Sequence, residues 1–61
     1  MSRFQELKSF VESLEKDFRA FYEKGNKAAG TRLRKAMQDL KAKAQEIRVE
    51  IQQIKNQQKS A

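Results

Sequence analysis

Along the first third of the chain, apolar residues recur at Phe4, Leu7, Val11, Leu14, Phe18 and Phe21 in alternating steps of three and four, with Phe10 and Tyr22 widening the stripe. That spacing keeps one face of an α-helix apolar and predicts an amphipathic helix over about residues 3–23. Ser2, followed three residues later by Gln5, marks its start as a capping box, in which each side chain satisfies an orphan backbone donor. Gly25 marks its end, because glycine takes up the left-handed conformation that closes a helix, and Asn26 can cap whatever follows. From there Gly30, Leu33, Met37, Leu40, Ala44, Ile47, Ile51 and Ile54 repeat the three-and-four alternation with no proline among them. They predict a second helix over about residues 27–57, with the polar residues 58–61 frayed.

A turn of only three residues, 24–26, makes the two helices antiparallel neighbours. The expected fold is therefore all-α: a helical hairpin with a short first helix and a long second one, in a single domain spanning 1–61. At about 1.5 Å per residue the second helix outruns the first by roughly ten residues, so Ile51 and Ile54 lack a neighbour in their own chain. Seam isoleucines left open at the end of a regular heptad call for a second chain. A twofold homodimer forming a four-helix bundle or coiled coil is the simplest closed solution, with Ile47, Ile51 and Ile54 as its dimerisation residues.

Charge sharpens this picture. The chain carries 14 Lys and Arg against 8 Asp and Glu, a formal net charge of +6, and no Cys or His. Residues 1–23 hold four cations and five anions; residues 24–61 hold ten cations and three anions, so the basic half is the second helix. Disulfides and ordinary zinc sites are excluded as staples for so short a chain, which again points to oligomerisation. No apolar run approaches the roughly 18 residues of a membrane span, and Met1-Ser2-Arg3 opens directly into the amphipathic pattern, so a cytoplasmic setting is expected.

Within the basic half, Lys27, Arg34, Lys41, Arg48 and Lys55 occupy one heptad position, just after the seam residues Leu33, Leu40, Ile47 and Ile54. On a helix they form a cationic stripe about 42 Å long. Such charges commonly pair with carboxylates of a neighbouring helix, but the first helix offers only Lys8, Glu15 and Tyr22 at the equivalent position. A stripe that is not neutralised suits a polyanion. The turn adds Lys24, Asn26, Lys27, Thr31, Arg32, Arg34 and Lys35, where the open N–H groups and dipole of a helix start favour phosphate.

Catalysis finds little support in a chain without His or Cys, whose carboxylates at 12, 15, 17, 39, 46 and 50 fall on outward or flanking positions. Gly25 and Gly30 do not make a phosphate loop, which needs a preceding strand and a GK[ST] ending. The phenylalanines share the leucine face and are expected in the core rather than stacked on bases.

The run Glu23-Lys24-Gly25-Asn26-Lys27-Ala28-Ala29-Gly30-Thr31-Arg32-Leu33-Arg34-Lys35, followed by a Lys-, Glu- and Gln-rich amphipathic helix, resembles the N-terminal portion of the linker-histone-like nucleoproteins of chlamydiae. The resemblance is sharpest over residues 23–36. It implies a nucleoid-associated protein that binds and compacts chromosomal DNA with little sequence preference and without a cofactor. The chlamydial proteins continue into a Lys- and Ala-rich tail that these 61 residues do not contain, so the helical body is expected to contact DNA itself. Double-stranded DNA and a second copy of the chain are the expected partners, with no membrane and no small-molecule substrate. Contacts from Lys24, Asn26, Lys27, Thr31, Arg32, Arg34, Lys35, Lys41, Arg48 and Lys55 would position phosphates without reading bases. The competing reading is a coiled-coil interaction module that docks on another protein through the overhanging end of the second helix.

Overall fold

The structure, a computed structural model, describes residues 2–58. They form three helices, α1 (Arg3–Glu12), α2 (Glu15–Lys24) and α3 (Lys27–Gln58), and no strand among the described residues. α1 and α2 run as one arm antiparallel to α3, so the chain is the expected all-α hairpin. Of the expected frayed end, Gln58 is still helical, and residues 59–61 lie outside the described residues.

The first arm is not the single helix that its apolar spacing predicts. Ser13 Oγ donates to the Phe10 carbonyl at 2.6 Å. That carbonyl is the α-helical acceptor for the Leu14 N–H, which bonds instead to Val11 O at 3.0 Å. A serine hydroxyl competing for a backbone acceptor thus tightens one turn and separates α1 from α2. The Phe18 N–H then bonds to Leu14 O, restarting the ladder.

The ends follow the expected chemistry. Ser2 Oγ accepts from the Gln5 N–H at 3.0 Å, the hydroxyl half of a capping box. Gly25 sits at φ 67°, in the left-handed region, while the Gly25 N–H bonds to Phe21 O and the Asn26 N–H to Ala20 O. Asn26 Oδ1 accepts from the Ala29 N–H at 3.1 Å and caps α3.

The helices meet along a face rotated from the one their apolar spacing predicts. Buried or half-buried positions on the first arm are Arg3, Leu7, Phe10, Leu14, Asp17 and Ala20; on α3 they are Ala29, Gly30, Leu33, Ala36, Leu40, Lys43, Ile47 and Glu50. Leu7, Leu14, Leu33, Leu40 and Ile47 point inward as expected, but Phe4, Val11, Phe18, Met37, Ala44 and Ile51 do not. Each apolar stripe is wider than one neighbouring helix can cover. The expectation of a phenylalanine core therefore holds in the single chain only for Phe10, which packs against the core; Phe4 is 68% exposed, and Phe18 and Phe21 are also exposed.

The core that remains is thin. Leu14, Leu33 and Ala36 form its centre with Phe10 packed against them, and Ala29 is fully buried at the turn end. Nearby, Phe21 lies across Gly30, where a Cβ would meet Phe21 Cε1 at 2.7 Å, so any larger residue here would have to push that ring aside. The molecule measures 54 × 18 × 14 Å. A helix with side chains is about 10–12 Å across, so this is a single layer two helices wide, open on both sides.

Candidate nucleic-acid interface

The two sides of the layer differ, and helix geometry shows how. Successive residues are rotated by about 100° around a helix. Arg32 and Glu46 each precede an inward residue, Leu33 and Ile47, by one position and so lie on one side of α3. On that side Arg32 Nη2 meets Asp17 Oδ1 at 2.9 Å, with Arg32 Nε 3.2 Å from both carboxylate oxygens. At the far end, Arg3 Nη2 lies 3.2 Å from Glu50 Oε2 and 3.9 Å from Glu46 Oε1. The Arg32 guanidinium, chiefly through its hydrogen bond, holds the Asp17 carboxyl below the usual carboxylate range; Asp17 and Glu50 in turn raise Arg32 and Arg3.

These pairs correct one expectation and add a role to another residue. Asp17 and Glu50 are not solvated outward charges; both are half-buried between the arms. Arg32, a candidate DNA contact, also joins the two arms in a forked pair with Asp17, and its side chain remains exposed. Sequence spacing within one helix could not reveal these partners. Mirroring the chain about Gly25 and Asn26 brings position 17 near 32 and position 3 near 50, which was the available signal.

The stripe lies on the other side. Arg34, Lys41, Arg48 and Lys55 each follow a seam residue by one position, a rotation of about 100° in the opposite sense to Arg32 and Glu46. Lys27, Arg34, Lys41, Arg48 and Lys55 are all exposed, and among the described residues the ion pairs involve only Arg3, Arg19 and Arg32 as cations. Glu15, the one acid available to the stripe by heptad position, pairs within its own helix with Arg19 at 3.1 Å. The side chains of Lys41 and Arg48 bracket a shallow groove with Gln38, Ala42, Ala44 and Gln45. Arg34 and Lys41 border the next such groove, around Met37 and Gln38.

At the turn, Lys24 ends α2, Asn26 caps α3, and Lys27 begins it; Lys35 is exposed on the first turns of α3. Thr31 Oγ1 donates back to the Lys27 carbonyl at 3.3 Å. The helix start offers less to an anion than its sequence implies. The Ala29 N–H is taken by the Asn26 side chain and the Gly30 N–H by the Asn26 carbonyl, which leaves those of Lys27 and Ala28.

The three expected dimerisation residues separate. Ile47 is half-buried inside the hairpin, sharing a crevice of about 10 Å³ with Arg3, Glu6, Leu7 and Lys43. Ile51 and Ile54, just past the Arg3–Glu50 pair, are 51% and 46% exposed. Among the described residues no group of acidic residues could hold a metal ion, and no helix is long and apolar enough to cross a membrane.

No curated protein and no solved structure matches the chain. A family profile described as "Histone H1-like protein Hc1" matches residues 1–57, nearly the whole sequence and both arms of the hairpin. The chain therefore belongs to the histone H1-like Hc1 family, a family of structural DNA-binding proteins of the nucleoid rather than of enzymes.

Proposed function

We propose that these residues act as one helical-hairpin domain that binds duplex DNA without sequence preference, and that it organises or compacts the chromosome through phosphate contacts. The observation that carries this reading is the segregation of charge. The ion-paired side spends Arg3 and Arg32 on internal carboxylates, while the five stripe cations have none. Long cationic side chains on one exposed helix edge can follow a phosphate backbone, and phosphate contacts position a duplex without reading its sequence. The contacts are assigned to Lys27, Arg34, Lys41, Arg48 and Lys55, with Lys24 and Lys35 beside the turn. Arg32 acts by holding the turn end of α3 against α2.

Self-association belongs to this reading. Ile51 and Ile54 stand open beyond the first arm, and the intrachain core of Leu14, Ala29, Leu33 and Ala36 is small for a chain of this length. A homodimer in the cytoplasmic nucleoid would double the number of stripes offered to DNA.

The test is a mobility shift of random duplex DNA over a salt series. Reversing Arg34 and Arg48 to Glu should weaken binding at least about tenfold at low salt, and each phosphate that is no longer neutralised should flatten the log–log salt slope by about 0.9. Reversing Lys8 and Lys16, on the first arm, should matter much less. Equal effects from both pairs, in proteins of equal helicity, would leave only diffuse net charge. A flat salt response would favour a protein-docking module instead.

A further inference from the structure

The side of the hairpin that carries the stripe also carries most of its open apolar residues; Val49, beside the Arg3–Glu50 pair, is on the other side. Phe4, Val11 and Phe18 follow the inward positions 3, 10 and 17 by one residue; Met37, Ala44 and Ile51 follow the inward positions 36, 43 and 50 by one. In antiparallel helices the same rotational offset from the shared core leads to the same side of the layer. The six therefore form one face, running the length of the hairpin, with the cationic stripe along its α3 edge. All six are exposed.

We propose that a second copy of this chain covers this face with both hairpin turns at the same end of the assembly, so that α3 of each copy lies against α1 and α2 of the other. This rests on the self-association reading above and adds its surface and orientation. Charge selects the arrangement. If the turns lay at opposite ends, with α3 over α3, two stripes of five cations would confront each other along the rim of the interface. Like charges at such flanking positions oppose pairing. With the turns together, each stripe instead runs beside the partner's Lys8, Glu15 and Tyr22, a row with no net charge.

The overhang selects the same arrangement independently. Ile51 and Ile54 project beyond the end of the first arm. With the turns together, both overhangs emerge at the same end and can pack on each other as parallel strands of a coiled coil. With the turns opposed, the overhangs point away from one another and each keeps its isoleucines in water.

The chain has no cysteine, so a Glu23→Cys variant carries one spin label, at an exposed position in the last turn of α2. Turns at the same end place the two labels about 20–30 Å apart, two helix diameters plus the label arms. Turns at opposite ends separate them by about 50 Å, close to the 54 Å length of the hairpin. An Ile54→Cys variant gives a second readout: under mild oxidation it should form a disulfide-linked dimer in the proposed arrangement. A short label distance with that crosslink is the expected result. A long distance in a dimer overturns the orientation while leaving self-association standing. A solution mass of one chain with no dipolar coupling overturns both.

Discussion

On one side of the hairpin, Arg32 meets Asp17 and Arg3 meets Glu46 and Glu50 across the two arms; on the other, Phe4, Val11, Phe18, Met37 and Ile51 face water beside a row of unpaired cations. The first side meets most of its charges within one chain and leaves only Val49 open among its large apolar residues; the second leaves a whole apolar row open. Partly solvated ion pairs contribute little stability, so the closed side chiefly sets how the arms align. Apolar burial contributes far more per side chain, about 1.5–3 kcal/mol for a Leu, Ile or Phe. The side that would contribute most to stability is the one a single hairpin leaves uncovered.

The largest effect should come from placing a charge in the open apolar face. Val11→Glu combined with Ile51→Glu removes two exposed apolar side chains and sets two carboxylates where the proposed second copy packs. Desolvating unpaired carboxylates costs several kcal/mol, so the dissociation constant of the dimer should rise by about two to three decades or more. Sedimentation equilibrium reads that shift. A compensating trap must be watched, because the new carboxylates lie near stripe cations and can form pairs with them. Val11→Ser with Ile51→Ser avoids it and should shift the equilibrium in the same direction by a smaller amount. An unchanged mass for both double variants would show that this face is not where copies meet.

The closed side should respond to acid. Asp17 is held below the ordinary carboxylate range by Arg32, so the native state binds its proton less readily than the unfolded chain does. The stabilising contribution is therefore fully present above the unfolded value of about 3.9 and is lost as pH falls through the lowered native value. Thermal melts of wild type and Asp17→Asn should differ by a constant amount from neutrality down to about pH 5 and converge below about pH 4. The expected difference is small, since the pair is partly solvated, and it should shrink with salt. A difference that persists unchanged to about pH 2 would assign the effect of the substitution to poorer packing at the half-buried Asp17 rather than to its charge.

Much of this architecture was legible from the sequence. The three-and-four spacing located both arms, Gly25 and Asn26 located the turn, and the caps at Ser2 and Asn26 use the side chains that sequence chemistry nominates. What periodicity could not resolve was which flank of each stripe faces the other arm. Phe4, Val11 and Phe18 are as apolar as Leu7 and Leu14, and a stripe over about 100° wide does not say which edge one neighbour will take. The choice becomes visible only when the arms are mirrored about the turn, because Arg3, Asp17, Arg32 and Glu50 then fall close enough to pair. The stripe was legible for the opposite reason: five cations at one heptad position need no partner to be recognised. Arg32, near the turn in sequence, precedes Leu33 by one residue, and that offset puts it on the other side of α3 from the stripe.

The break between α1 and α2 offers the smallest and most local test. Ser13 Oγ holds the Phe10 carbonyl at 2.6 Å, which diverts the Leu14 N–H to Val11 O. Ser13→Ala frees that carbonyl, and alanine favours the helix over serine by about 0.5 kcal/mol. The first arm should then run with an unbroken ladder, raising the helical signal in far-ultraviolet circular dichroism slightly and the stability by no more than about 0.5 kcal/mol. Continuous α-helical twist from α1 into α2 also changes where the end of the arm points, and Arg3 is the residue that reads this out. If the break aligns Arg3 with Glu50, then Arg3→Ala should lower the melting temperature in the wild-type background but have less effect in the Ser13→Ala background. Additive effects of the two substitutions would show that the arm keeps its course without the serine, and that the burial of Leu14 against Leu33 and Ala36 sets the bend.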